Sequence, residues 1–321
     1  MSIRSVLTRL AVVALLAPAV LLTLTRVVEP EAALGVQLEA FTPFALVPYG
    51  LAGVVLVVLA LRHRSALAAG LAVCAVVGVG VHGWWFAPML TGEEPAAPAL
   101  AETLTVMTAN MFFGGADGAA LVRAAAAERV DVLVVQEVTG PLLAELEEAG
   151  VDEVFAHRAG MPGASAQGTM IFADVPLGEP TPVDTSWGSW LVDVDGLSLL
   201  AVHPFAPVDV DLWREDHRLL LQTAVAEQPD LLVGDFNATL DHAPMRALAD
   251  AGWRSVTEAA NEGWQPTWSL SGLLGDAGLP LPSLVQIDHV LAGPSVAGLG
   301  SRTVDVPGSD HRALIAEVAL Q

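Results

Sequence analysis

The chain has 321 residues, which is enough for one large domain or two smaller units, and its formal net charge is -22. All 14 basic residues are arginine, and residues 101–321 carry nine of them against 31 acidic residues, so charge gives no basis for tight binding of a long nucleic acid. The single cysteine, Cys74, excludes both an intrachain disulfide and a cysteine metal site.

Three long apolar stretches occupy the first ninety residues, at 10–24, 41–61 and 66–89. A helix that crosses a bilayer needs about 20 mostly apolar residues, and each stretch supplies that length with its flanks. A secretory signal peptide is the alternative for the first stretch alone. We predict three transmembrane helices within residues 1–90.

The distribution of arginine predicts how these helices are oriented. Arg4 and Arg9 precede the first stretch, and Arg62 and Arg64 lie between the second and the third. The loop after the first stretch has Arg26 together with three glutamates, and no basic residue follows the third stretch directly. Because cytoplasmic loops are enriched in arginine, we predict a multi-pass protein of the cell membrane whose later part is extracytoplasmic.

The part after the membrane segment reads as a linker at 91–102, rich in proline and alanine, and a catalytic domain at 103–321. Short apolar runs typical of buried strands alternate there with helical patterns. The run that begins at 231 ends in the sequence G-D-F-N. The predicted strands lie at 104–109, 131–136, 168–173, 190–194, 197–202, 231–234, 285–291 and 313–318, and the predicted helices at 117–129, 141–149, 210–227 and 242–251.

Polar side chains recur at or beside the ends of these strands, and strand ends at one sheet edge converge on one cleft. In an extended segment residues i and i+2 point to the same side, so Asp235 and Asn237 are expected to project together. These polar residues also have ordinary interpretations. G-D-F-N can be a turn, Glu137 can be the charge at a helix start, and Asp310 with His311 can be a pair in a surface loop. The candidate residues are Asn110, Glu137, His203, Asp235, Asn237, Asp288, Asp310 and His311.

Seven motifs occur in one order along residues 103–321: T-A-N at 108–110, V-V-Q-E at 134–137, G-T-M-I-F at 168–172, V-H-P at 202–204, V-G-D-F-N-A at 233–238, Q-I-D-H-V at 286–290 and G-S-D-H-R at 308–312. With them the segment resembles the endonuclease/exonuclease/phosphatase superfamily, which includes deoxyribonuclease I, sphingomyelinases and inositol polyphosphate phosphatases. The resemblance implies an α+β fold, a four-layer α/β/β/α sandwich of the deoxyribonuclease I type, preceded here by three transmembrane helices.

The resemblance also implies a role for each candidate residue. Glu137 resembles the principal metal ligand, with Asn110 beside it and Asp310 as a further contact. Such oxygen ligands suit Mg²⁺, with Mn²⁺ as an alternative. The metal would also let an acidic cleft receive a phosphate.

The remaining candidates match the catalytic positions of the family. Asp235 resembles the residue that orients or deprotonates the attacking water, and Asn237 the donor to the scissile phosphate. His311 resembles the cationic histidine at the phosphate, and Asp288 the carboxylate that orients it. His203 matches a second histidine of the deoxyribonuclease and sphingomyelinase branches. His289, next to Asp288, is expected to face the other side of its strand and to be structural.

These expectations describe a membrane-anchored, metal-dependent hydrolase of phosphodiester or phosphomonoester bonds. Its substrate is a phospholipid head group, a nucleic acid or a small phosphodiester. The only tyrosine, Tyr49, lies in a membrane stretch, which disfavours the abasic-site endonuclease branch with its tyrosine at the phosphate. Two alternatives stay open: an extracellular nuclease acting on DNA or RNA, and a catalytically silent binding module of the same fold.

Overall fold

The computed structural model describes residues 3–92, 103–269 and 281–320, so most of the predicted linker lies outside the described residues. The chain forms two compact units. The first contains Met1–Pro88 with Asp241–Ala243, and the second contains Met89–Leu240 with Pro244–Gln321.

Long apolar helices make up most of the first unit. Three segments are long and apolar enough to cross a membrane, Thr8–Val28, Thr42–His63 and Ala66–Phe86, in agreement with the three predicted stretches. The elements are α1 (Ile3–Val28), α2 (Ala33–Glu39), a 3₁₀ turn (Thr42–Ala45), α3 (Leu46–His63) and α4 (Ala66–Phe86), followed by α5 (Pro88–Thr91).

A small polar cluster joins the three long helices of this unit. The Thr23 hydroxyl is 2.8 Å from the Tyr49 hydroxyl and 2.9 Å from Nε2 of His82. A Cβ at Gly78 would lie 2.7 Å from the Tyr49 ring, so the glycine lets α3 and α4 approach closely. Interhelical hydrogen bonds and small residues of this kind hold apolar helices together where burial of apolar surface alone does not favour their association.

The second unit contains fourteen described strands and six further helices. The strands are β1 (Thr103–Asn110), β2 (Val132–Gln136), β3 (His157–Met161), β4 (Thr169–Ala173), β5 (Thr181–Val183), β6 (Ser189–Val194), β7 (Leu197–Val202), β8 (Leu231–Asp235), β9 (Arg254–Ser255), β10 (Trp268–Ser269), β11 (Ser283–Val285), β12 (Asp288–Ala292), β13 (Val296–Asp305) and β14 (Arg312–Leu320). The helices are α6 (Gly118–Ala127), α7 (Gly140–Glu148), α8 (Val151–Val154), α9 (Val210–Glu227), α10 (Ala243–Asp250) and α11 (Val256–Ala259).

Two mixed six-stranded sheets form the centre of this unit. Their strand orders are β13-β14-β1-β2-β4-β3 and β5-β6-β7-β8-β12-β9. β1 pairs in parallel with β2, and β7 with β8, while the neighbouring pairings are antiparallel. The carboxyl ends of each parallel pair therefore meet at one edge of their sheet.

Side chains alternate between two cores along each central strand. Val106 and Val134 of the first sheet pack with Leu199 and Val233 of the second, and so fill the space between the sheets. Met107 and Leu133 point the other way, where they pack with residues of α6 and α7, including Leu121 and Leu142. Strands buried on both faces read as continuous apolar runs, which is why they were recognisable in the sequence. The predicted α+β architecture of two mixed sheets with helices is confirmed.

The structure departs from the predicted elements at several places. The single strand predicted at 285–291 is two strands, β11 and β12, separated at residues 286–287. Five of the described strands were not predicted: β3, β5, β9, β10 and β13. β13 contains Gly298 and Gly300, and its pairing with β14 shifts register between them, so its side chains do not follow one alternating pattern.

Candidate active site

The sheet edges bring six of the eight candidate residues to strand ends, and one of them, His203, directly follows β7. Asn110 is the last residue of β1, Glu137 follows β2, and Asp235 is the last residue of β8. Asp288 begins β12 and pairs with Asp235 across the ladder, while His311 directly precedes β14. Because β12 and β14 run antiparallel to β8 and β1, their first residues lie at the edge where those strands end.

The Asp235 carboxylate lies at the centre of this group. One oxygen accepts hydrogen bonds from Nδ2 of Asn110 at 2.9 Å, and the other from the Asn237 backbone N–H at 2.7 Å. Nε2 of His203 and Nε2 of His311 each lie 3.8 Å from Oδ2. Burial raises the pKa of Asp235 to about 7, and the nearby charge of Asp288 adds to that rise. A carboxylate with such a pKa can accept a proton near neutral pH.

His311 is held as a cation by its carboxylate neighbours. Its Nδ1 lies 2.8 Å from Oδ2 of Asp288, within hydrogen-bond distance. Burial opposes the charged ring, but the carboxylates of Asp288 and Asp235 outweigh it and raise the pKa of His311 to about 10. The backbone N–H of Asp288 donates to the buried Thr267 hydroxyl, which fixes the carboxylate end of the pair. The arrangement presents a proton donor, Nε2, toward Asp235.

Glu137 is buried and occupies an uncommon backbone conformation, with φ of 61°. Its Oε1 accepts a hydrogen bond from Nδ2 of Asn110 at 3.1 Å, and its Oε2 accepts one from the Phe113 backbone N–H. Burial raises the pKa of Glu137, while the bonds from Phe113 and Asn110 act against that rise. Nδ2 of Asn110 thus links Glu137 to Asp235. The contacts of Glu137 are explained by these bonds, without the alternative interpretation of Glu137 as the charge at a helix start.

Asp310 lies at the margin of the site. Its Oδ2 accepts a hydrogen bond from Nε1 of Trp268 at 3.1 Å, and its Oδ1 lies 4.0 Å from Nε2 of His311. The charge of Asp310 also contributes to the raised pKa of Glu137. The surface-loop interpretation of this pair therefore does not describe its surroundings.

His203 is fully buried and its ring packs on Trp187, with centroids 4.9 Å apart. Burial lowers the pKa of His203 to about 3, and the positive charge of His311 adds to the effect. His203 is therefore neutral near physiological pH. The two histidines flank Asp235 as one neutral ring and one cationic ring.

Asn237 corrects one element of the sequence interpretation. β8 ends at Asp235, and Asn237 has a left-handed backbone with φ of 49°, so the rule for extended segments does not apply. Nδ2 of Asn237 donates to the Pro204 carbonyl at 3.1 Å, and the Asn237 carbonyl accepts from Nε1 of Trp213 at 3.0 Å. Asn237 reaches the site through its backbone N–H, which orients Asp235.

His289 faces away from Asp288, as the alternation of side chains along β12 predicts. It is fully buried, and its Nε2 lies 2.9 Å from the Ala238 carbonyl. Burial lowers the pKa of His289 to about 4. The residue therefore packs as a neutral ring on the other side of β12.

The chemistry of these side chains fits a hard divalent cation. Four carboxylates gather here against one cationic ring, and Oδ1 of Asp288 is buried without a hydrogen-bond partner among the described residues. Ligand atoms of Asp235, Asp288 and His311 lie within 4.8 Å of one another. Nδ1 of His311 already meets Asp288, however, and hard cations prefer oxygen. The oxygens of Glu137, Asn110 and Asp310 are the more suitable set for Mg²⁺ or Mn²⁺.

Sequence reasoning missed several residues that complete the site. Phe112 and Phe113 follow the T-A-N motif, and their backbone N–H groups donate to Asn110 and Glu137. Ser309 donates its hydroxyl to the Asn110 carbonyl at 2.7 Å. The S-D-H motif contained Ser309, but no pattern in the sequence signals that the two phenylalanine amides bind site residues.

Comparison with known proteins identifies the family. The model of the Endonuclease/Exonuclease/phosphatase family matches residues 107–311, a segment that contains every candidate residue. A comparison with curated protein sequences found no match.

Solved structures share the fold at low sequence identity. An endonuclease/exonuclease/phosphatase from Beutenbergia cavernae is 20% identical with a TM-score of 0.52, over 68% of this chain and 72% of that chain. D. rerio TDP2 complexed with single-strand DNA product is 17% identical with a TM-score of 0.52, over 68% and 99%. The 3' phosphatase NExo from Neisseria, bound to a product DNA hairpin, is 15% identical with a TM-score of 0.52, over 66% and 98%. With the family model spanning most of the second unit, the chain belongs to the Endonuclease/Exonuclease/phosphatase family.

Proposed function

We propose that the protein is a membrane-anchored, metal-dependent phosphodiesterase whose second unit lies outside the cytoplasm. The observation that carries this proposal is the pairing of a buried carboxylate with a buried cation. Asp235, with its pKa near 7, lies 3.8 Å from Nε2 of His311, which Asp288 keeps protonated. Hydrolysis of a phosphodiester needs a base for the water and an acid for the leaving oxygen, and these two groups supply both.

The metal ligands in this proposal are Glu137 and Asn110, with Asp310 as a further contact. Held by these residues, Mg²⁺ or Mn²⁺ would polarise a phosphoryl oxygen and offset the negative charge of the cleft. The protein's own contribution is to hold these ligands in place. Asn110 is fixed by Glu137, by Asp235 and by the backbone N–H of Phe112, so its carboxamide has little freedom to rotate.

The other residues act on the water and on the phosphate. Asp235 orients the attacking water and accepts its proton, and Asn237 holds Asp235 through its backbone N–H. His311 stabilises charge on the phosphate and protonates the leaving oxygen, with Asp288 orienting its ring. Asn237 retains one amide hydrogen beyond its bond to Pro204, and His203 adds a neutral ring beside Asp235. Both are proposed to contact the phosphate.

The negative charge of residues 101–321 disfavours a long nucleic acid as the substrate. Residues 101–321 contain no lysine, and at least four of their nine arginines pair with acidic residues in the described part of the chain. Few cationic side chains are therefore available to neutralise DNA phosphates, so the release of counterions from DNA would contribute little to binding. A nuclease is the second candidate, because TDP2 and NExo were solved with product DNA.

A substrate panel tests the proposed activity. Purified full-length protein with Mg²⁺ or Mn²⁺ is expected to hydrolyse bis-p-nitrophenyl phosphate faster than p-nitrophenyl phosphate, and EDTA is expected to remove the activity. Plasmid DNA and a phospholipid are the two natural-substrate arms. Faster cleavage of plasmid DNA would establish the nuclease instead. A folded protein that binds Mn²⁺ in calorimetry but hydrolyses none of the four would be a binding module.

The location of the second unit is proposed from the arginine pattern of the first. Arg62 lies in the last turn of the second candidate span and Arg64 directly follows it, whereas three glutamates lie between the first and second spans. Alkaline phosphatase, which matures only outside the cytoplasm, is expected to be active when fused after residue 321. A fluorescent protein that matures only in the cytoplasm, fused at the same point, is the paired control. Activity of the second reporter alone would reverse the orientation.

A further inference from the structure

Large apolar side chains are unevenly exposed on the second unit. Within residues 103–269 and 281–320, seven are well exposed: Phe112, Phe113, Met161, Val208, Leu212, Val225 and Leu320. The first five of these, which we name the apolar rim, lie in segments next to the strand ends that carry the site residues. A cluster of exposed apolar side chains at one place marks an interaction surface, whereas scattered ones need no explanation.

Phe112 and Phe113 are the members of the apolar rim closest to the site. Their side chains are 39% and 53% exposed, although their backbone N–H groups bond to Asn110 and Glu137. Both have left-handed backbones, with φ of 47° and 54°, which is uncommon for bulky residues. The backbone thus serves the site while both rings face solvent, with centroids 5.4 Å apart.

Met161 joins the apolar rim through the first sheet. It ends β3 and pairs with Thr169, which in turn pairs with Gln136, the residue before Glu137. Met161 is 62% exposed. Its side chain therefore flanks the same edge, two strands away from the end of β2.

Val208 and Leu212 join the apolar rim from the second sheet. Val208 lies in the segment between His203 and α9, and Leu212 lies in the first turn of α9. The neighbour of Leu212, Trp213, donates its Nε1 to the Asn237 carbonyl at 3.0 Å, so the start of α9 is fixed to the site.

The two remaining exposed apolar residues lie at the opposite end of their elements. Val225 is in the last turn of α9, and Leu320 is the last residue of β14, whose first residue follows His311. They provide an internal comparison, because they have the same chemistry without proximity to the site.

We infer that the apolar rim inserts into a lipid surface, so that the enzyme acts on a lipid whose phosphoester lies at headgroup level. The occupant follows from the first unit: three candidate spans in the same chain keep the second unit beside a bilayer. Apolar and aromatic side chains next to such a surface bury about 5–10 Å into the boundary between headgroups and acyl chains. The site carboxylates and His311, beside the rim, would then lie at the depth of the lipid phosphates. The identification of the substrate rests on the proposed function, whereas insertion of the rim does not.

The test uses the full chain in phosphatidylcholine nanodiscs, with an environment-sensitive fluorophore on a single cysteine. In a Cys74→Ala background, Val208→Cys and Met161→Cys report on the rim, and Val225→Cys is the matched control. The unchanged chain labelled at Cys74, which is exposed on α4, is the positive control. Lipids with brominated acyl chains are expected to quench the label at residues 74, 161 and 208, and to leave the label at residue 225 bright.

Two results would overturn the inference. One is equal emission from the labels at residues 161, 208 and 225 in brominated lipid. The other is a spectral shift at residue 208 on addition of a single-stranded oligonucleotide, with no quenching by lipid, which would make the rim a nucleic-acid surface. Quenching is measured without any substrate turnover. If the rim labels are quenched but the protein hydrolyses none of the four substrates of the panel, insertion of the rim into lipid is supported and the proposed phosphodiesterase activity is rejected.

Discussion

Replacement of Asp235 by asparagine is expected to lower kcat for bis-p-nitrophenyl phosphate by about 10³-fold, the typical contribution of a positioned base. Asparagine keeps the shape of the side chain and can still accept the bond from the Asn237 backbone N–H, which is 2.7 Å long in the native protein. It cannot accept a proton from water. The thermal midpoint of the variant is measured beside kcat, because the new amide nitrogen would face Nδ2 of Asn110, which donates to Oδ2 of Asp235 in the native protein.

Asp193→Asn is the matched control, because Asp193 is exposed, lies in the β6–β7 hairpin and accepts a hydrogen bond from the Gly196 backbone N–H. It is expected to leave kcat unchanged. If Asp235→Asn keeps more than about a tenth of the native kcat, Asp235 is not the base.

His311→Gln separates the acid from the base. In bis-p-nitrophenyl phosphate the leaving group, p-nitrophenolate, departs without needing a proton, so His311→Gln is expected to lower kcat only slightly. With an alkyl phosphodiester, whose leaving group needs a proton, His311→Gln is expected to lower kcat strongly. The loss in Asp235→Asn is expected to be the same for both. Equal losses for both substrates in His311→Gln would place His311 at the phosphate only, as a stabilising cation.

The sequence predicted much of the site because buried strands bring their ends together. Asn110, Glu137 and Asp235 each follow a run of residues buried on both faces, and such runs are recognisable without knowing their neighbours. Asp288 was also recognisable, since a carboxylate inside an apolar strand is costly to bury unless it is paired. Its partner proved to be His311, at 2.8 Å.

The sequence could not predict features that depend on contacts between distant segments. The left-handed backbone of Asn237 is accompanied by bonds to Pro204 and Trp213, which lie 33 and 24 residues away. The position of Phe113 depends on Glu137, which lies 24 residues further along the chain. Local pattern carries no information about such partners. In β13 the two glycines and the shift of register remove the period of two by which a strand is recognised.

Replacement of Glu137 by glutamine is expected to weaken Mn²⁺ binding by about 100-fold or more, because changes beside a metal ligand already cost about 10- to 100-fold. The backbone supports this role. A non-glycine residue with φ of 61° carries roughly 1–3 kcal/mol of strain, and such strain persists where the surroundings impose it. Here the next residue, Val138, donates to the Gly168 carbonyl at 3.0 Å.

Gly168 shows how tightly this turn is built. A Cβ at residue 168 would lie 1.9 Å from the Val138 carbonyl oxygen, so only glycine allows the two segments to approach this closely. Val138 also accepts a backbone bond from Gly163 at 2.8 Å. The chain therefore holds Glu137 in a strained conformation whose carboxylate is directed to Asn110, and glutamine can occupy the same position without the charge.

His311→Gln is the comparison that decides where the metal binds. If the metal lies on Glu137, Asn110 and Asp310, His311→Gln is expected to keep Mn²⁺ affinity within about threefold in calorimetry, while its turnover of an alkyl phosphodiester falls. The reverse result, with affinity lost in His311→Gln and kept in Glu137→Gln, would place the metal on the Asp235, Asp288 and His311 group, whose ligand atoms lie within 4.8 Å of one another. In that case His311 would bind the metal through Nε2, with Asp288 holding its other nitrogen, and it could not serve as the acid.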